Sequence, residues 1–230
     1  MHPQPDELHA HAHDDSHHDH HDHDHAEISQ SGRPGYYEVM ETAVRELLIE
    51  RGLLGPGEIR RQIEVLDTRN PALGAKVVAR AWVDPGFRAR LLADGRAACE
   101  ELGISFYDDT GLIVLENTES VHNLVVCTLC SCYPRPVLGL PPDWYKNKPY
   151  RARAVIEPRA VLADFGTHIP DHVEIRVSDS TAMVRFLVLP MRPEGTDDYS
   201  EEQLAELVTR DAMIGVVPAT TLEGGIDERL

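Results

Sequence analysis

Between residues 36 and 102, apolar side chains recur at intervals of three and four, the spacing of an amphipathic helix. Gly52 stops the first of these patterns, because glycine is favoured just past a helix end. Asp84 and Pro85 begin the last one, since aspartate caps a helix and proline suits its first turn. The pattern predicts helices over residues 36–51, 58–66, 73–82 and 85–102.

After Gly111 the apolar period shortens to two, which is typical of strands. Strands are predicted at 112–116 and 122–126. Residues 173–177 and 184–189 alternate around a short polar turn, which predicts an antiparallel hairpin. The other predicted elements are helices at 149–155 and 158–165, a helix at 200–209 opened by a Ser200–Gln203 capping box, and a strand at 213–217. The predicted fold class is therefore α+β with an antiparallel sheet.

The N-terminal 35 residues carry almost nothing that could enter a core. Ten of the 13 histidines lie between His2 and His25, interleaved with aspartates. Such a composition predicts a disordered tail. Imidazole and carboxylate groups both bind divalent ions, so the tail is interpreted as a loose divalent-metal reservoir or as a solvated segment, and not as part of a catalytic site.

Composition excludes several classes of partner. A formal net charge of −17 repels the phosphates of nucleic acid. No apolar run approaches the length of a membrane span and no signal-peptide pattern opens the chain, so no membrane association is predicted. Thiols without obvious disulfide partners suit a reducing compartment, which predicts a cytoplasmic protein.

The chemistry of the chain is concentrated in a C-x-x-C-x-C motif. Cys127, Cys130 and Cys132 lie within six residues, too close and too few for a disulfide framework, and this favours a metal site. A structural zinc site recruits two separated ligand pairs and fills its coordination, so an inert clasp or interaction module is the weaker interpretation. A cysteine protease needs one thiolate beside a histidine, and an iron–sulfur cluster needs a fourth cysteine.

The spacing of the last two cysteines permits an unusual ligand set. If one metal binds the sulfurs of Cys130 and Cys132, the main-chain nitrogens of Ser131 and Cys132 lie between them in fused five- and six-membered chelate rings. Deprotonating a peptide nitrogen requires a strongly Lewis-acidic ion, so the metal is predicted to be trivalent. With Cys127 as a further ligand, one octahedral position remains open, which indicates catalysis.

Two other residues are weighed as ligands and rejected. Cys99 lies on the apolar face of the predicted helix at 85–102, where a buried hydrophobic role is favoured. His122 lies five residues before the cluster on a predicted strand, where a structural or exposed role is favoured. Trp144 and Tyr145 suit a pocket, an interface or the core.

The loop Val126–Cys132 resembles the metal loop of the nitrile hydratase alpha subunit and of the related thiocyanate hydrolase gamma subunit. The resemblance extends to Gly74–Trp82, Leu138–Pro142, Glu157–Arg159, Arg192–Thr196 and Val208–Asp211. It implies hydration of a small nitrile to the amide, a layered α-β-β-α domain, and a beta subunit that joins this chain in an (alpha-beta)2 assembly. The chain alone is therefore expected to be inactive.

The resemblance also implies particular roles in the loop. Cys130 becomes a sulfinic acid, Cys132 a sulfenic acid and Cys127 stays a thiolate, with arginines of the beta subunit meeting the oxidised sulfurs. Thr128 matches the cobalt-type loop, where the iron type has serine, so Co(III) is favoured over iron. Metal ligands are therefore expected at Cys127, Cys130, Ser131 and Cys132, and catalytic roles at Cys130, Ser131 and Cys132.

Arg135 departs from the nitrile hydratase pattern, which has tryptophan there, and matches the thiocyanate hydrolase gamma subunit. A guanidinium suits an anionic substrate, so thiocyanate hydrolysis is the alternative function. Arg135 suits equally well a surface position where it pairs with the partner subunit. Nitrile hydration is favoured because Val114–Thr118 and Leu138–Pro142 resemble that enzyme more closely. The predicted organisation is a tail at 1–35, a helical arm at 36–83 that embraces the partner, a metal-binding catalytic domain at 84–218 and a frayed end at 219–230.

Overall fold

The computed structural model describes residues 35–106 and 109–220. These divide into two compact units that meet between Pro56 and Gly57. The predicted tail at 1–35 and frayed end at 219–230 fall almost wholly outside the described residues, and the predicted domain limits stay predictions. Within the described ranges, no helix combines the length and apolar character that crossing a membrane requires.

The first unit contains helix α1, Tyr36–Glu50. Its start is held by Glu38, whose carboxylate accepts a hydrogen bond from the Gly35 amide at 2.8 Å. No side chain of α1 is buried. The helix therefore exposes a row of large apolar side chains, namely Tyr36, Tyr37, Val39, Met40, Val44 and Leu47.

The second unit mixes helices and strands, as predicted. Its helices are α2 Glu58–Asp67, α3 Pro71–Val83, α4 Pro85–Ala93, α5 Gly95–Glu101, α6 Arg135–Leu138, α7 Asp143–Lys146, α8 Lys148–Ile156, α9 Pro158–Asp164, α10 Glu201–Glu206 and α11 Arg210–Ile214. Its strands are β1 Gly111–Glu116, β2 Val121–Val126, β3 Glu174–Asp179 and β4 Val184–Leu189. The predicted helix at 85–102 is two helices, because the Asp94 carboxylate accepts from the Ala97 amide and starts a new one.

The predicted antiparallel hairpin is wrong. The turn between β3 and β4 forms, closed by a hydrogen bond from the Thr181 amide to the Val184 carbonyl at 2.9 Å. Beyond the turn the strands separate: β3 pairs with β2 and β4 pairs with β1, and both pairings are parallel. Every residue of β2 after Val121 is buried, as is typical of a strand covered on both faces. Alternation located the strands but could not identify their partners.

The predicted strand at 213–217 is also wrong, because α11 occupies its first half. The Thr209 hydroxyl accepts from the Ala212 amide at 3.1 Å and starts this helix. The helix ends at Gly215, in the left-handed conformation with φ of 92°. The Ser200–Gln203 capping box that opens α10 is confirmed.

The core positions the segment that carries the cysteines. Leu124, Val125 and Val126 of β2 are at most 1% exposed, and the chain enters Cys127 directly from this strand. In the neighbouring strand, Asp179 lies opposite Val126. The motif therefore begins at the end of a fully packed strand, beside a carboxylate.

Candidate metal centre

Three cysteine sulfurs converge just past the end of β2. The Sγ atoms of Cys127, Cys130 and Cys132 all lie within 4.8 Å of one another. Cys127 and Cys130 are 3.4 Å apart, and Cys130 and Cys132 are 3.2 Å apart. Cys127 is buried, Cys132 is half-buried and Cys130 is exposed, so the group spans the boundary between core and surface.

These distances suit the predicted metal. With metal–sulfur bonds of about 2.3 Å, adjacent octahedral ligands lie about 3.3 Å apart and tetrahedral ligands about 3.8 Å apart. The two sulfur–sulfur separations, 3.4 and 3.2 Å, agree with octahedral neighbours. Three cysteine sulfurs in this arrangement form a donor set that fits a transition metal. Ligation by the Ser131 amide nitrogen stays a prediction.

Hydrogen bonds from two other elements hold the loop. At the end of β3, Asp179 accepts from the Thr128 amide at 2.9 Å and also from the Thr128 hydroxyl. From α8, one guanidinium nitrogen of Arg151 donates hydrogen bonds to the carbonyls of Thr128 and Leu129, at 3.0 and 3.1 Å. The Cys130 amide donates to the Cys127 sulfur at 3.2 Å. Asp179 and Arg151 were missed by sequence reasoning because nothing local connects them to residue 128.

An aromatic group supports the other end of the loop. Tyr145 is fully buried, and its hydroxyl donates to the Cys132 carbonyl at 2.9 Å. Its ring packs edge-on against Tyr133 and Trp144, with centroids 5.1 and 6.0 Å away. Of the roles open for Tyr145 in the sequence, the structure therefore selects core packing, with the polar tip directed at the metal loop.

The local environment gives Cys130 and Cys132 different thiol pKa values. Hydrogen bonds from the thiols of Cys132 and Cys127 lower the pKa of the Cys130 thiol to about 7. Burial and the bond to Cys130 raise the pKa of Cys132 to about 12, which Arg185 partly offsets. Of these two thiols, Cys130 is therefore the one that loses its proton more readily.

Neither rival ligand joins the group. Cys99 is completely buried, and burial raises the pKa of its thiol to about 12. The Nε2 atom of His122 lies 2.7 Å from the Gly215 carbonyl oxygen. The Nδ1 atom of His122 lies 3.4 Å from the side-chain nitrogen of Asn117. A neutral ring with the proton on Nε2 satisfies both contacts. Burial lowers the pKa of His122, in agreement with that form.

A cavity of about 340 Å³ opens above the loop. Its floor includes Cys130, Ser131 and Cys132, and its walls include the side chains of Arg69, Arg135 and Arg185. The exposed sulfurs are therefore accessible to a small molecule, and this volume lies in the range of ligand pockets.

Comparison with known proteins finds a family match that includes the metal loop. Residues 35–217 match the family described as "Nitrile hydratase, alpha chain". The chain belongs to this family. The match begins immediately after the His/Asp-rich tail and includes all of the hydrogen-bonded loop described above.

Relatives in the family differ in metal and reaction, judged by their names. The low-molecular weight cobalt-containing nitrile hydratase subunit alpha of Rhodococcus rhodochrous is 55% identical over 180 residues, covering 78% of this chain and 87% of its own length. The thiocyanate hydrolase subunit gamma of Thiobacillus thioparus is 44% identical over 191 residues, with coverages of 78% and 79%. A solved double mutant of the Fe-type nitrile hydratase from Comamonas testosteroni Ni1 superposes with a TM-score of 0.73 at 42% identity, covering 84% of this chain and 95% of that chain.

Proposed function

We propose that this chain is the metal-binding alpha subunit of a cobalt nitrile hydratase, an enzyme that hydrates a nitrile to the amide. The observation that carries the proposal is the group of three cysteine sulfurs within 4.8 Å of one another, two of which lie on the floor of an open cavity. The 55% identity to a relative named as cobalt-containing supports both the reaction and the metal. Thr128, which marks the cobalt-type loop, agrees with this choice.

The residues of the chain act by binding and orienting. Cys127, Cys130 and Cys132 would hold the ion together with the Ser131 amide nitrogen. Cobalt(III) bound there would supply Lewis acidity toward the nitrile or a water molecule. Asp179 in β3 and Arg151 in α8 both hydrogen-bond to the loop. These bonds hold the metal ligands in position before the metal binds. In the net reaction the oxygen of water bonds to the nitrile carbon and both of its protons end on nitrogen.

We infer that the active form also requires oxidised cysteines and a beta subunit, as the family resemblance implies. Sulfinate at Cys130 and sulfenate at Cys132 would need cationic donors, which the partner's arginines would supply. The exposed apolar side chains of α1 support a partner-binding role for the first part of the predicted arm at 36–83. An (alpha-beta)2 assembly, a layered α-β-β-α domain and a cytoplasmic location complete the proposal.

The proposed function is tested by producing the chain with its genomic partner in medium that contains both cobalt and iron. Elemental analysis is expected to find about one cobalt per chain, and the complex is expected to convert small nitriles to amides. Stoichiometric iron or zinc would contradict the metal assignment. Release of ammonia from thiocyanate, without hydration of any nitrile, would replace the proposed reaction by the alternative that Arg135 favours.

The His/Asp-rich tail is proposed to bind divalent ions loosely and to take no part in turnover. Removing residues 1–30 is expected to leave the activity per bound cobalt unchanged, because the matched family region begins at residue 35. Cobalt loading is expected to fall only when cobalt is scarce in the medium, since many weak ligands raise its local concentration. Loss of activity in fully loaded truncated enzyme would contradict this division of roles.

A further inference from the structure

The arginine side chains in the wall of the cavity above the metal loop have a charge opposite to that of the chain. The whole chain carries a formal net charge of −17. Among the described residues that line the cavity there are three arginines and no aspartate or glutamate. Clefts lined by one sign of charge raise the local concentration of ligands of the opposite sign. This difference in charge between the protein surface and the cavity wall is therefore expected to favour the entry of anionic ligands.

The three arginines are placed by different parts of the fold. Arg185 lies in β4, where it donates to the Thr181 carbonyl. Arg135 begins α6, directly after the cysteine loop. Arg69 follows α2, and its backbone lies against Gly139, where a Cβ atom would come within 2.6 Å of the Arg69 carbonyl oxygen. The cationic wall is thus assembled from three separate segments and is not a local run of basic sequence.

These arginines differ in their hydrogen bonds. Arg185 is held by its bond to the Thr181 carbonyl. Arg135 is exposed, and in the part of the chain that the structure describes, neither Arg135 nor Arg185 forms an ion pair. Arg135 therefore offers a guanidinium whose planar fork matches a carboxylate. Apolar wall residues such as Phe106 and Pro134 remain for the carbon skeleton of a ligand.

We propose that the cavity selects nitriles that carry a negative charge close to the C≡N group, with Arg135 as the residue that determines this specificity. The substrate class is a short nitrile with a carboxylate, which Arg135 would bind while the nitrile points at the cysteine loop. The inference rests on the proposed function, because it names the substrates of that same site. Thiocyanate is a second anion that carries a C≡N group, and it could bind in the same cavity.

The test uses the holoenzyme complex and two nitriles of the same shape, 3-cyanopropanoate and 3-cyanopropanamide, which differ in charge. The ratio of their kcat/KM values, anion over neutral amide, is expected to be about ten or more at low salt. That ratio is expected to fall as sodium chloride is raised from 10 mM to 0.5 M, because salt screens the attraction. A ratio of one or below at low salt would overturn the proposal.

Three variants separate Arg135 from general effects of charge. Arg135→Gln is expected to lower the ratio about tenfold, and Arg135→Lys to retain most of it. Arg176→Gln removes the same charge from an arginine that pairs with Glu174 outside the cavity, and it is expected to leave the ratio unchanged. An unchanged ratio in Arg135→Gln, or an equal fall in Arg176→Gln, would overturn the assignment of Arg135.

Binding of the two products tests the anion site without turnover. Succinamate, the product of the anionic nitrile, is expected to bind the complex about tenfold more tightly than neutral succinamide in titration calorimetry, and Arg135→Gln to remove the difference. Equal affinities would overturn the anion site. If succinamate binds preferentially but neither nitrile is hydrated, the anion site stands and the proposed function fails. Turnover of thiocyanate would then identify thiocyanate as the anionic substrate.

Discussion

Cys132→Ser is expected to lose metal and partner together. Hydroxyl is a poor substitute for thiolate on this ion, so cobalt content should fall from about one per chain to near zero. The substitution also removes the oxidised sulfur that would meet cationic groups of the beta subunit. Leaving such cations buried and unpaired costs roughly 2–5 kcal/mol of binding free energy. Elemental analysis and size-exclusion chromatography of the co-expressed chains measure the two losses.

Ser131→Ala is the matched control, because it changes the neighbouring residue and keeps the main-chain nitrogen predicted to bind the metal. Most of the cobalt and of the partner binding is expected to survive in this variant. Intact-mass measurement of the active wild-type complex is expected to show three added oxygens, two on Cys130 and one on Cys132. Full activity in unoxidised protein, or in Cys132→Ser, would reject the proposed ligand set.

Gly215→Ala is expected to be the most destabilising small substitution in the chain's second unit. Gly215 has a φ of 92°, and a Cβ atom there would lie 2.0 Å from the carbonyl oxygen of Asn123 in β2. Left-handed strain costs about 1–2 kcal/mol and overpacking about 1–3 kcal/mol, so the free energy of unfolding should fall by roughly 2–5 kcal/mol. Urea denaturation monitored by circular dichroism measures this change.

Gly166→Ala is the control that separates the cost of backbone strain at positive φ from the cost of a steric clash of the added Cβ atom. Gly166 also has a positive φ, 77°, but nothing lies within 4 Å of its hypothetical Cβ atom. Only the strain is expected there, about 1–2 kcal/mol. If the two alanine variants lost the same stability, the close approach between Gly215 and β2 would have no energetic importance. A larger loss at Gly215 would identify that contact as what holds the strand that leads to Cys127.

Local sequence signals predicted the local features of the fold. The strand into Cys127 follows from its run of apolar residues, and the helix starts at Asp84 and Ser200 follow from capping chemistry. The spacing of the three cysteines was enough to predict that their sulfur atoms converge. Each of these features depends on residues only a few positions apart.

Features that depend on distant residues were not predictable in this way. The parallel pairing of β2 with β3 joins Val126 to Asp179, and no turn or alternation pattern marks that pairing. The bond from Thr128 to Asp179 and the carbonyl contacts of Arg151 follow from the pairing and from helix packing. The cationic cavity wall was also invisible, because Arg69, Arg135 and Arg185 come together only in the folded chain.

The distance along the chain between Thr128 and Asp179, 51 residues, has a consequence for the order of events during synthesis. The cysteine loop leaves the ribosome well before β3, and until β3 pairs with β2 no carboxylate holds the loop. At 5–20 residues per second, roughly 3–10 s separate the two. A metal ion that binds earlier would meet the three thiols before the Asp179 contacts with Thr128 have formed. Insertion of the metal is therefore expected to follow the emergence of residue 179.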